Sequence, residues 1–137
     1  MDTNFQDIGA QESALERLTT SQRLCLLAWH DDEMIRARAA ENPQLPVHLL
    51  ALLSQDDSVE VRISVADNPR APIAILELLA RDPNPDVRFA IAENAKILPD
   101  ILGFLTLDDH PYVADRARKT LERLQARAEV RLMLQCA

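Results

Sequence analysis

The side chains of this chain that could do chemistry are three histidines, two cysteines and several evenly spaced arginines and asparagines. His30, His48 and His110 lie in different parts of the sequence with no partners at metal-ligand spacing, so no metal is expected. Cys25 and Cys136 are equally isolated, with no CxxC pair, which fits a reducing compartment. No Ser/His/Asp or Cys/His set is suggested by position, and two glycines, Gly9 and Gly103, cannot build a phosphate-cradling loop. We therefore expect no enzyme and no cofactor. What does recur is Arg36, Arg62 and Arg88, and Asn42, Asn68 and Asn94, each set stepping by 26. An arginine column could hold an anionic partner. The structural alternative has Arg62 and Arg88 pairing with Asp56 and Asp82 of the same unit. The asparagines suit helix ends, where they bond neighbouring backbone and tolerate unusual φ and ψ.

The elements that position these residues follow the same period. Leu24, Leu50, Leu76 and Leu102 form one column and Leu27, Leu53, Leu79 and Leu105 another, while Ala40, Ala66 and Ala92 keep step. Self-similarity at such a period signals a solenoid, in which each unit buries its apolar face only by stacking on its neighbours. In the middle unit Asp56, Asp57 and Ser58 supply capping oxygens for a short helix to about Asp67, which Asn68-Pro69 ends. Pro72 starts a second helix whose Ile75, Leu76, Leu78 and Leu79 mark the buried side. Flanking units read alike, 31–41 then 46–55 and 85–93 then 99–107, after a helix near 22–29 capped by Thr20 or Ser21. Beyond His110-Pro111 no stop follows, and Leu121, Leu124, Ala128 and Leu132 carry an apolar face to about Leu134. Lys119, Arg123, Arg127 and Arg131 step by four along another face.

Hydrophobic residues make up 47 % of the 137 and aromatics 4 %, so small aliphatic side chains must fill the core of one domain. Two glycines and eight prolines amid abundant Ala and Leu favour helices throughout. The formal charge of −7 divides into −10 over residues 1–112 and +3 over 113–137. An acidic body disfavours sequence-independent nucleic-acid binding, which rests on Lys and Arg neutralising phosphates. No apolar run reaches the ~20 residues of a membrane span, and the opening MDTNFQDIGAQE has no secretory character. A cytoplasmic place is expected.

Across Asp56–Pro69 and Asp82–Asn94 the pattern D-x4-V-R-x-x-[VI]-A-x-N resembles the leucine-rich repeat variant family of bacterial proteins, as does P-x-x-x-L-x-x-L-A-x-D over Pro72–Asp82. The likeness covers roughly residues 20–120, and it extends more loosely to HEAT-like repeats. It implies a right-handed α-solenoid of paired short helices and no single activity. Some members carry an iron–sulfur module, which needs about four thiolates; Cys25 alone near that end does not fit one. Departures are His30 in the aspartate column, Ala95 in place of proline and Ala114 in place of arginine.

The expected molecule is all-α, with about four two-helix repeats in one domain: an arm at 1–12, an N-terminal cap at 13–29, repeats at 30–55, 56–81 and 82–107, and a capping helix over 108–137. Its expected role is a non-enzymatic protein–protein interaction module or adaptor. Solenoid curvature is expected to leave the outward side of the second helices concave, presenting Trp29, His48, Gln55, Glu77, Arg81 and Asp100 to another protein or a peptide segment. The alternatives are nucleic-acid binding through the basic final helix and a HEAT-like metal-dependent modification enzyme. The apolar end Val130–Leu134 suits a homodimer through that helix.

Overall fold

The computed structural model describes residues 17–136. The expected arm, and the cap before residue 17, lie outside the described residues. Those described form eight α-helices, with no strand among them. In chain order they are α1 (Thr20–Ala28), α2 (Glu33–Glu41), α3 (Val47–Leu53), α4 (Val59–Asp67), α5 (Ile73–Leu79), α6 (Pro85–Glu93), α7 (Pro99–Leu105) and α8 (Pro111–Gln135).

Local chemistry accounts for the ends. The cap of α1 is Thr19, one residue before the expected pair, because Gln22 three residues on completes a reciprocal capping box with it. Asp32 and Asn84 cap α2 and α6 by accepting the N–H two residues on, at 2.8 and 2.7 Å. The first helices stop at Asn42, Asn68 and Asn94, all with ordinary extended backbone at φ of −72°, −66° and −70°. No unusual φ is used there, contrary to expectation. In each, Oδ1 accepts the N–H two residues on, from Gln44, Arg70 and Lys96. This side-chain turn ends the helix whether proline follows, as at Asn68, or alanine, as at Asn94.

Helices of seven to nine residues are too short to hold alone, so packing must supply their stability. Val61, Val65, Val87, Ile91 and Val113 are buried from the first helices, and Leu50, Leu53, Leu79, Leu102 and Leu105 from the second. The large buried side chains are all aliphatic except Thr120. Two of the expected inward leucines point out instead. Leu27 is exposed, and so is Leu78, because Ile75, Leu76 and Leu79 already form the inward face of α5 and position 78 falls beside it.

The helices fall into two rows. In one, α2, α4, α6 and α8 pack directly on one another in that order; in the other, α1, α3, α5 and α7 meet each other far less. Ala37, Ala40, Ala66, Ala90, Ala92 and Ala117 are buried in the first row, and small side chains let helix axes approach to roughly 8 Å. The second helices thus form the looser row, α1, α3, α5 and α7.

The last helix departs from the pattern as expected. Val113, Ala114, Ala117 and Thr120 are buried, Leu121 and Leu124 are half-buried, and residues 125–136 are exposed on every side. About eleven residues of α8 thus overhang the body by ~16 Å. No helix among the described residues is long and apolar enough to cross a membrane.

Candidate functional site

Three arginine–aspartate staples run along the stack. Arg62 donates from Nε and Nη2 to Asp82 Oδ2 and Oδ1 at 2.8 and 3.1 Å, and from Nη1 to the main-chain carbonyls of Asp56 and Asp57 at 2.7 and 3.2 Å. Arg36 does the same with the Asp56 carboxylate and the carbonyls of His30 and Asp31. Arg88 repeats it with the Asp108 carboxylate and the carbonyls of Asp82 and Pro83. The column is structural, but its partner is not the expected one. Each arginine takes the carboxylate of the following unit and only main-chain oxygens of its own.

These pairs are largely buried, with side-chain exposure of 13 % and 6 % for Arg62 and Asp82. The fork geometry satisfies both carboxylate oxygens, as a desolvated pair requires. Burial pushes the Asp56 carboxyl up, but hydrogen bonds from Arg36 and the Ser58 N–H, with the charges of Arg36 and Arg62, outweigh it and hold the group below the ordinary value. At Asp108 the Arg88 hydrogen bond is the largest influence and, against burial, has the same net result.

The asparagines make a second ladder in the opposite direction. Asn68 Nδ2 donates to the Ala40 carbonyl and, at 3.0 Å, to that of Asn42; Asn94 Nδ2 reaches the Ala66 carbonyl at 3.4 Å. Arginines thus tie each unit forward while asparagines tie it back. Helix-end carbonyls that lack intrahelical partners are met this way.

Neither arginines nor asparagines are left as a recognition surface, so other residues must carry one. Glu77 and Arg81 from α5 and its C-terminal turn come together with Asp100 of α7 in an open cleft of about 260 Å³, beside Phe104. The Arg81 guanidinium lies over the Phe104 ring, 4.6 Å from its centroid. Trp29 and Gln55 line another cleft, nearer the N-terminal end and about 390 Å³ in volume, with the Arg36–Asp56 staple in its wall. His48 is exposed on α3 and lines neither of these clefts. Phe104 was missed by sequence reasoning; as the residue 26 after Leu78, it could have been found by asking which periodic apolar columns the core does not need.

The three histidines remain apart. His30 Nδ1 accepts the Asp32 N–H at 3.0 Å, His110 precedes α8 with its ring 5.8 Å from that of Tyr112, and among the described residues no group of three His, Cys, Asp or Glu side chains could hold a metal. On α8, Lys119 is paired with Asp115 at 2.7 Å and Arg123 reaches the Thr120 hydroxyl at 3.4 Å, while Arg127 and Arg131 stand on the exposed overhang.

Comparison with curated proteins and with solved structures finds no match. Residues 59–84 match the family model described as leucine rich repeat variant. The matched stretch runs from the first residue of α4 to the cap of α6, one full period, and contains Arg62, Asn68 and Asp82 of the two ladders. The match covers 26 of the 137 residues, so one unit of the chain, 59–84, is similar to a leucine rich repeat variant repeat.

Proposed function

We infer that the protein is a non-enzymatic interaction module, a right-handed solenoid of about four short units that binds another protein through the outward face of its second helices. The observation that carries this reading is the cleft in which Glu77, Arg81 and Asp100 meet beside Phe104, built by two successive helix pairs. A charged, partly aromatic cleft of this kind is suited to recognition, and the staples along the stack tie together the units that form it. The leucine rich repeat variant match supports the reading, since repeat proteins of this kind present extended surfaces rather than catalytic pockets. A cytoplasmic setting agrees with the two unpaired cysteines. The triple variant Glu77→Lys, Arg81→Glu, Asp100→Lys changes exposed side chains only. Affinity capture from native lysate at moderate salt should lose a specific protein with this variant while its circular dichroism stays that of the parent. Identical capture by both removes this face from consideration.

A second reading, nucleic-acid binding, is favoured by one observation, the projection of Arg127 and Arg131 on the overhang of α8. It requires a labelled duplex or single strand to shift at low salt, with binding that weakens steeply as salt rises. The overhang also exposes Val130, Leu132, Met133 and Leu134, a surface through which a homodimer could form.

A further inference from the structure

One column of side chains on the row of second helices is apolar in every unit and buried in none. Leu26, Leu52, Leu78 and Phe104 follow one another at 26-residue steps on α1, α3, α5 and α7, with exposures of 54 %, 38 %, 51 % and 46 %. The core does not need them, because each of α3, α5 and α7 already buries three apolar residues of its own. A lone exposed apolar side chain is ordinary, but one per helix at the same position makes a periodic stripe, and exposed apolar stripes mark docking surfaces.

We propose that this stripe seats an amphipathic helix with a basic flank, supplied by another protein and lying across α3, α5 and α7. The proposal rests on the interaction reading above and specifies the chemistry of the partner. The first helices pack directly on one another, which steps successive units by about 10 Å, and seven residues of α-helix rise ~10.5 Å. A partner with apolar side chains at i, i+7 and i+14 would set one beside each of Leu52, Leu78 and Phe104. The flank is set by charge. Glu77 and Asp100 open into the cleft beside Phe104, while the one cation there, Arg81, is turned onto the ring. The described body, residues 17–112, carries 15 acidic and nine basic side chains, a formal −6. Lysine or arginine along one edge of the partner helix complements that field. The overhang of a second copy fits less well. Its exposed large apolar residues, Val130, Leu132, Met133 and Leu134, span only ~6 Å of helix and cannot reach three units.

The test uses the full chain and two fluorescent helical peptides of 22 residues, identical in having Leu at positions 4, 11 and 18, one flanked by Lys and one by Glu. The Lys-flanked peptide should bind, and Leu78→Asp should weaken it on the order of tenfold. That substitution adds a negative charge and would strengthen a purely electrostatic attraction, so a loss reports the stripe itself. Leu52→Asp provides the same readout should Leu78→Asp alter the circular dichroism. Equal binding of the Glu-flanked peptide overturns the charge assignment while leaving the face an interaction surface. Binding of the Lys-flanked peptide that neither variant weakens overturns the stripe. If neither peptide binds although lysate capture still depends on Glu77, Arg81 and Asp100, the interaction reading stands and the helical partner falls. A Leu78-dependent doubling of mass by light scattering makes a second copy the occupant and overturns the proposal.

Discussion

Arg62 joins three stretches of chain with one side chain. Its Nη1 holds the turn at Asp56 and Asp57, and its Nε and Nη2 hold the Asp82 carboxylate one unit on. The departures at the ends of the column then make sense. An aspartate at position 30 would need an arginine at position 10, which is alanine, and an arginine at position 114 would need an aspartate at position 134, which is leucine. His30 nonetheless keeps the other task of its column. Its Nδ1 accepts the N–H two residues on, as the Oδ1 atoms of Asp56, Asp82 and Asp108 do from Ser58, Asn84 and His110. A double-mutant cycle separates the two possible partners of Arg62. Arg62→Ala with Asp82→Ala should give a coupling of about 1 to 3 kcal/mol in urea unfolding, and Arg62→Ala with Asp56→Ala less than about 0.5 kcal/mol. The reverse order would return the pairing to within one unit.

At the scale of the element, α5 displays the logic of every second helix. Seven residues make two turns, enough to bury one face, and Ile75, Leu76 and Leu79 take it. Leu78 lies off that face and remains half in solvent. Leu76→Ala or Leu79→Ala should therefore cost about 2 to 5 kcal/mol, since each leaves a void between rows, whereas Leu78→Ala should cost about 0.5 kcal/mol. Chemical denaturation of the three variants checks the register of α5 directly: equal losses would mean that position 78 is part of the core. The first helices follow another rule. Their buried side is rich in alanine, which permits close approach, and their ends are closed by asparagines, of which Asn68 and Asn94 also bond to the preceding unit.

For the whole molecule, stability against acid follows from the staples. Asp56 and Asp108 are held below the ordinary carboxylate value of 3.8, so the unfolded chain binds their protons more readily than the folded one. Their contribution is complete well above that value and is lost as pH falls from about 5 through their folded values. Asp67 has the opposite sign: burial, with the charges of Glu93 and Glu41, raises its value, so protonation relieves a cost. Two stapled carboxylates oppose one, and unfolding free energy should fall between pH 5 and pH 3, with Asp108→Asn less stable at pH 7 and shallower in its acid dependence. An unchanged slope in that variant would detach acid stability from the staple. The sequence by itself determined the period, the helix pairs, most of the buried leucine columns and the long last helix, because caps, stops and apolar spacing act over a few residues and repeat. It could not name the arginine's partner. The aspartates six residues before Arg62 and twenty after it differ by one whole period, so both belong to the same column and no spacing separates them. Nor could it tell that Leu78 faces solvent or which row packs more closely. Those depend on how closely whole helices approach, which alanines on neighbouring units decide together and only the folded stack reveals.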